Sequence, residues 1–331
     1  MDSMDGFVEQ LAAGDTSRAV LTYALQVKGA EQERLFALAR QYRSAAFPTE
    51  EVEVRSVIEI SNICQQPCNY CNMGLKATHD HYVIGYAEFL DLVQFLHDKG
   101  RRVLLLQSGE NDNQDYIAHV TRCVEGIMSK FSDMVIVLCL GNLNDDQYRQ
   151  LHSVGATRYV LKFETSNGKL YAHLKPRDSL KRRVACLDSL LRLGYEVGSG
   201  NMVGLPGQTI DDIIDDLYFL GRFALSMESC TVFIPGESSH YRNEPTGDVD
   251  MALNMMALMR VMYPRRLIPT TSSLEKARGQ GQFLGLMAGA NTVTVHDGTP
   301  AELKHLFPIY STKRFTPQDD HFKTIVNRAG L

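Results

Sequence analysis

Ile60-Ser61-Asn62-Ile63-Cys64-Gln65-Gln66-Pro67-Cys68-Asn69-Tyr70-Cys71 ends an apolar run at 54–60 and sets three cysteines in the spacing Cys-x-x-x-Cys-x-x-Cys. An apolar run followed at once by a thiol-rich loop reads as a buried strand whose C-terminal end carries chemistry. Three close thiolates can hold three irons of a cubane cluster and leave the fourth iron open to a small molecule. The competing reading is structural zinc, which takes four closed ligands. His79 or His81 would then supply the fourth. Spacing alone leaves both open.

Moving outward, seven further apolar runs follow, at 103–107, 134–140, 159–163, 197–203, 230–234, 267–271 and 292–295. Helical patterns separate them, among them 87–99, 180–193, 210–223 and 249–262. Eight strand–helix repeats over about 250 residues predict an α/β fold, a parallel (β/α)8 TIM barrel, with an open doubly wound sheet as the alternative. Residues 1–50 read as short amphipathic helices closed by Pro48, an N-terminal helical extension. The expected division is extension 1–50, barrel 51–310 and C-terminal tail 311–331. In such a barrel, chemistry gathers at the C-terminal ends of the strands. The cysteines, Gln107-Ser108-Gly109-Glu110, Glu164-Thr165, the 198–204 segment and Thr270-Thr271-Ser272-Ser273 all fall at such ends.

Composition narrows the function classes. The chain of 331 residues is 44% hydrophobic and 22% charged, enough for a large globular core. A net charge of −5, with Lys181-Arg182-Arg183 as the densest basic cluster, gives no footprint for nucleic acid. No apolar stretch approaches the roughly 20 residues of a membrane span. The acidic start Met1-Asp2-Ser3-Met4-Asp5 lacks a signal-peptide core. Seven cysteines, three of them within eight residues, argue against a disulfide framework and for a cytoplasmic location.

Several motifs admit a plain structural reading beside a chemical one. Tyr70 can shield a cluster or simply pack its loop. Gly109 permits close backbone approach, which lets Ser108, Gly109 and Glu110 reach a ligand amine, or it marks an ordinary turn. Glu164 ends an apolar strand and needs a partner or solvent. Arg183 can grip a carboxylate bidentately or sit in a surface ion pair. Thr209 is a helix N-cap, with Asp211 and Asp212 suited to the positive helix end and Asp215-Asp216 expected on a solvated face. Gly204-Leu205-Pro206-Gly207 is no phosphate loop, because no Gly-Lys-Ser/Thr follows. Met251, Met255, Met256, Met259 and Met262 recur at helical spacing and read as core. Cys139, Cys186 and Cys230 read as small buried hydrophobes.

Taken together, these residues resemble the radical S-adenosylmethionine (SAM) superfamily. The chain looks most like the biotin synthase branch and, within it, the [FeFe]-hydrogenase maturase family HydE. The matching stretches are 58–71, 105–110, 163–183 and 194–217, with Phe233-Ile234-Pro235 and Met287-Ala288-Gly289-Ala290-Asn291 later. The resemblance implies that Cys64, Cys68 and Cys71 bind a [4Fe–4S] cluster whose open iron takes the amino and carboxylate groups of SAM. It implies SAM contacts from Ser108, Gly109 and Glu110 near the amine, Glu164 at the ribose or amine, and Arg183 at the carboxylate. Tyr70, Met202 and Leu205 would border the adenine. The implied reaction is reductive cleavage of SAM to methionine and a 5′-deoxyadenosyl radical that attacks a small substrate, amino-acid-like or metal-bound. A flavodoxin- or ferredoxin-like donor would supply the electron. Gln107, Lys162, Thr271 and Ser272 are the candidate substrate residues.

Departures bear on the subgroup. Biotin synthase carries cysteines for a second cluster on its strands, whereas Val137 and Gly198 stand at those positions here. The maturase family shows Arg-His-Glu-Thr where this chain has Lys162-Phe163-Glu164-Thr165, and Lys lacks the guanidinium fork. Thr271 and Ser272 keep hydroxyls where that family has a threonine pair. The SAM half of the site is thus expected to be preserved and the substrate half altered. A mutase of the methylornithine synthase type, sulfur insertion, and a zinc-stabilised barrel without catalysis are the alternatives.

Overall fold

The computed structural model describes residues 6–74, 79–309 and 320–331. The acidic lead Met1–Asp5 and the part of the tail that holds Lys313 and Arg314 lie outside the described residues.

Three helices open the chain: α1 (Phe7–Ala12), α2 (Arg18–Gln26) and α3 (Gly29–Ala46). Strands and helices then alternate: β1 (Glu53–Ser61), α4 (Tyr86–Asp98), β2 (Val103–Ser108), α5 (Gln114–Lys130), β3 (Val135–Cys139), α6 (Asp145–Ser153) and β4 (Arg158–Val160). Two helices, α7 (Gly168–Leu174) and α8 (Leu180–Arg192), lead to β5 (Glu196–Val203), α9 (Ile210–Leu220), β6 (Met227–Val232) and α10 (Val249–Met262). The last repeat is β7 (Pro269–Thr270), α11 (Ser272–Ala277), α12 (Gly281–Met287) and β8 (Thr292–Val295), with α13 (His321–Arg328) beyond it.

All pairings in the sheet are parallel, in the order β6-β5-β4-β3-β2-β1-β8-β7. A single parallel bridge, Met227 to Leu267, joins the two edges, so the sheet is a nearly closed (β/α)8 barrel. β1 shows why the sequence folds this way. From Arg55 to Ser61 every residue is buried, as a strand covered on both faces requires. The helices are amphipathic: Phe89, Leu90, Val93 and Leu96 form one buried stripe of α4. Their starts are capped from the sequence, by Asn113 on α5, by the Asn144–Gln147 capping box on α6 and by the Thr209–Asp212 box on α9.

The N-terminal helices are part of the same packing. α2 lies on α9 and α10, and α3 on α10 and α12. Arg43, only 4% exposed, donates to the carbonyls of Leu286 and Ala290 and so ties α3 to the α12–β8 turn. Met255, Met256 and Met259 are fully buried on α10, as their spacing predicts. Among the described residues no helix is long and apolar enough to cross a membrane.

Candidate functional site

The loop after β1 is held from several sides. Gln65 N–H donates to Glu110 O (2.8 Å), Asn69 N–H to Leu174 O (2.9 Å) and Asn72 N–H to Ile309 O (3.0 Å). Met73 N–H reaches Cys71 Sγ at 3.3 Å. Gly109 makes the approach possible: a Cβ there would run into Ile63 O and the Cys64 side chain. The loop presents Cys64, Cys68 and Cys71, all free thiols, to a cavity of about 350 Å³ inside the barrel mouth. Burial raises all three thiols, Cys68 to about 12, so without a cation they stay protonated at neutral pH.

Beside the cysteines lies a buried ionic network. Glu110 Oε1 accepts from Lys175 Nζ and from Arg183 Nη2, the latter at 2.6 Å. Arg183 also reaches Asp178 (3.3 Å) and donates through Nε to Tyr171 Oη (3.0 Å). Its side chain is 3% exposed, so the surface-pair reading of Arg183 does not hold. Burial alone would raise the Glu110 carboxyl, but Arg183 and Lys175 outweigh it and bring it down to about 2. Glu110 Oε2 is buried and has no partner.

Glu164 sits across the mouth with φ +64, a left-handed conformation that costs a non-glycine residue about 1–3 kcal/mol. Its backbone is pinned to β5: Glu164 N–H donates to Gly200 O (3.0 Å) and Met202 N–H donates to Glu164 O (2.9 Å). This turn explains why β4 stops at Val160 instead of running to 163. Lys162 Nζ lies 3.0 Å from Glu164 Oε2 and donates to Thr231 Oγ1 at 2.7 Å. Oε2 forms no directed hydrogen bond, so the pair is electrostatic and the oxygen keeps acceptor capacity. Behind the turn, Asp216 on α9 accepts from Ser166 N–H and Oγ (2.6 Å each) and from Asn201 Nδ2 (3.0 Å).

A separate apolar cluster forms the rim: Tyr70, Leu170, Leu174, Met202, Leu205, Phe233 and Tyr241. Gln208 locks the turn beneath it, its Oε1 accepting from Gly204 and Leu205 N–H and its Nε2 donating to Met202 O. The cavity brings together Cys64, Cys68, Cys71, Tyr70, Gln107, Ser108, Gly109, Glu110, Lys162, Glu164, Arg183, Met202, Thr271 and Ser272. Leu205 belongs to the rim cluster and does not reach the cavity wall.

The Radical SAM superfamily model matches residues 58–220. The [FeFe] hydrogenase maturase subunit HydE of Thermotoga maritima is 34% identical over 312 residues, spanning 92% of this chain and 87% of that protein. The chain belongs to the radical SAM superfamily. A 3-methylornithine synthase of Methanosarcina barkeri is 26% identical, covering 79% of this chain and 74% of its own. The crystal structure of methylornithine synthase (PylB) superposes with a TM-score of 0.81 at 22% identity, covering 98% of this chain and 95% of that one, which speaks to the fold.

Radical SAM enzymes use a [4Fe–4S] cluster and SAM, and this chain is an enzyme of that kind. The residues present fit both groups. The donor set is three thiols on one wall. Among the described residues no three His, Cys, Asp or Glu side chains converge on one point. A cubane takes one thiolate per iron, so its ligands need not converge on a point. For SAM, whose ammonium and ribose hydroxyls are donors, the cavity offers the unpartnered Glu110 Oε2 and the open acceptor at Glu164.

Sequence reasoning missed Lys175, Asp178 and Tyr171, which complete the Arg183 network. They fall on and just after the short helix α7, where no periodic signal marks them. Two other readings are corrected by tertiary packing. Asp216 is fully buried instead of solvated, and Cys139 lines the cavity instead of the core.

Proposed function

We propose that this radical SAM enzyme is HydE-like, acting on a small amino-acid-like or metal-bound substrate inside the barrel cavity. Cys64, Cys68 and Cys71 would hold the cluster. Glu110, with Ser108 and Gly109, would receive the SAM amine, and Arg183 the carboxylate. Glu164 would take the ribose, and Tyr70, Met202 and the rim cluster the adenine. When bound, these groups supply one-electron cleavage of the sulfonium and a carbon-centred radical. The chain's own residues bind, orient and shut out water.

The observation that carries this reading is one continuous cavity. The thiols and the Glu110–Arg183 network line one part of it, and Gln107, Lys162, Thr271 and Ser272 line the rest. The whole cavity measures about 350 Å³, within the range of small-molecule sites. Lys162, whose Nζ lies 3.0 Å from Glu164 Oε2, presents an ammonium to the cavity, complementary to a substrate carboxylate. A small electron-transfer protein would deliver the reducing equivalent.

The test is anaerobic turnover of SAM with deuterated amino acids and other deuterated candidate substrates. Deuterium in the 5′-deoxyadenosine identifies a substrate that loses hydrogen; a covalent adenosyl adduct identifies radical addition. A mutase of the methylornithine synthase type, favoured by the 26% identical relative, would instead return an isomer of the added amino acid. Protein that retains its iron yet cleaves no SAM under strong reduction would refute the proposal.

A further inference from the structure

Across the barrel from β4, Ser272 at the start of α11, His296 just past β8 and Glu59 on β1 form a chain of hydrogen bonds. Ser272 Oγ lies 3.1 Å from His296 Nε2, and His296 Nδ1 lies 2.7 Å from Glu59 Oε1. Ser272 and His296 line the cavity, while Glu59 is 1% exposed behind them. Thr299 fixes the carboxylate: its hydroxyl donates to Glu59 Oε2 and accepts from Glu59 N–H at 2.8 Å. A carboxylate at Nδ1 keeps the proton on that nitrogen and leaves Nε2 as an acceptor for the Ser272 hydroxyl. The chain therefore runs from the cavity surface to a buried negative charge, with each member oriented by the next.

We propose that Ser272, His296 and Glu59 form a proton relay that removes a proton from an ammonium or thiol of the bound substrate. This deepens the reading above, since it rests on the cavity being the substrate site. The substrate N–H or S–H bond breaks and its proton passes to Ser272 Oγ as the hydroxyl proton passes to His296 Nε2. The electron pair stays on the substrate nitrogen or sulfur, no electron is exchanged, and the imidazolium that forms faces the Glu59 carboxylate. In free solution an amino group (about 8) or thiol (about 8.5) lies roughly two pH units above imidazole (about 6.5). The lone pair set free stabilises a radical at or beside that atom, which a protonated group cannot do. Positioned bases of this kind contribute about 10²–10⁴-fold. Ser272 would act directly on substrate and His296 would take the proton through it; Glu59 and Thr299 orient the ring.

Two-bond ¹H–¹⁵N correlation spectra of oxidised, anaerobic holoprotein labelled in histidine test this. His296→Gln removes, and so assigns, the His296 signals. At pH 7.5 the relay requires a neutral ring with Nδ1 protonated and Nε2 bare. Ser272→Ala should shift the Nε2 resonance, and Glu59→Gln should abolish the tautomer preference. If Glu59→Gln does not fold, Thr299→Val reads the same link. A ring protonated at Nε2 alone, or fully charged at pH 7.5, overturns the relay. So does a tautomer unchanged in the Glu59 and Thr299 variants. The spectra need neither SAM nor reductant, so a failed relay and a failed cleavage assay are separate results.

Discussion

Arg183 carries two demands at once: it neutralises Glu110 and Asp178 and is the proposed grip on the SAM carboxylate. Arg183→Ala is therefore expected to lower stability as well as SAM affinity. Breaking a buried pair costs about 3–5 kcal/mol. Lys175 remains beside both carboxylates, which places this variant at or below the lower end. Melting temperature and SAM binding measured on the same preparation check this; a variant that loses neither would return Arg183 to a passive role. Cys68→Ala makes the complementary prediction. Two thiolates do not hold the cubane, so iron content should collapse while the far-ultraviolet circular dichroism stays that of the parent. Normal iron in that variant would remove Cys68 from the ligand set. At this scale the sequence singled out the cysteines, Glu110 and Glu164 by residue type, and the fold brings them to one cavity. It was silent on Lys175 and Asp178, whose roles come from where α7 and α8 place them.

Among the elements, the β4–α7 turn and α9 are coupled. Asp216 holds Ser166 and Asn201, and so fixes the strained Glu164 turn against β5. Burial pushes Asp216 up to about 7 despite the hydrogen bonds it accepts. Burial likewise pushes Glu228 up to about 7 although Arg266 lies 2.9 Å away. A carboxyl raised in the fold is favoured there when protonated, so the stability it lends is complete below its ordinary pKa and is lost as pH rises through about 7. The melting temperature should thus decline between pH 4 and pH 7, with Asp216 contributing on the order of a few kcal/mol. Asp216→Asn should flatten that slope even if its baseline is lower; parallel profiles for variant and parent would contradict the assignment. Element boundaries were legible where local rules act. The α10 bounds and the Thr209 cap follow from periodicity and capping chemistry. The early end of β4 was not legible, because a left-handed Glu164 is imposed by β5 and α9, far away in sequence. For the same reason Asp216 looked like part of a solvated acidic face until α9 met the turn.

For the molecule as a whole, eight strand–helix repeats and one thiol loop were enough to expect a barrel with its chemistry at the strand ends, because both depend on sequence-local pattern. What the barrel encloses was not legible. The cavity wall mixes residues from β1, β2, β4, β6 and the segments after β7 and β8, and only closure of the sheet brings them together. The part proposed for SAM is built of thiols, carboxylates and a guanidinium, groups that suit a cluster and a charged nucleoside. Lys162, Thr231, Ser272 and His296 line the part proposed for the substrate. The measurement that bears most directly on this account is electron paramagnetic resonance of the anaerobically reconstituted, dithionite-reduced protein, with and without SAM. A cluster held by Cys64, Cys68 and Cys71 with one open iron should give a reduced [4Fe–4S] signal whose g-values shift when SAM binds. A signal that SAM leaves unchanged, or protein that binds zinc and no iron, would contradict it.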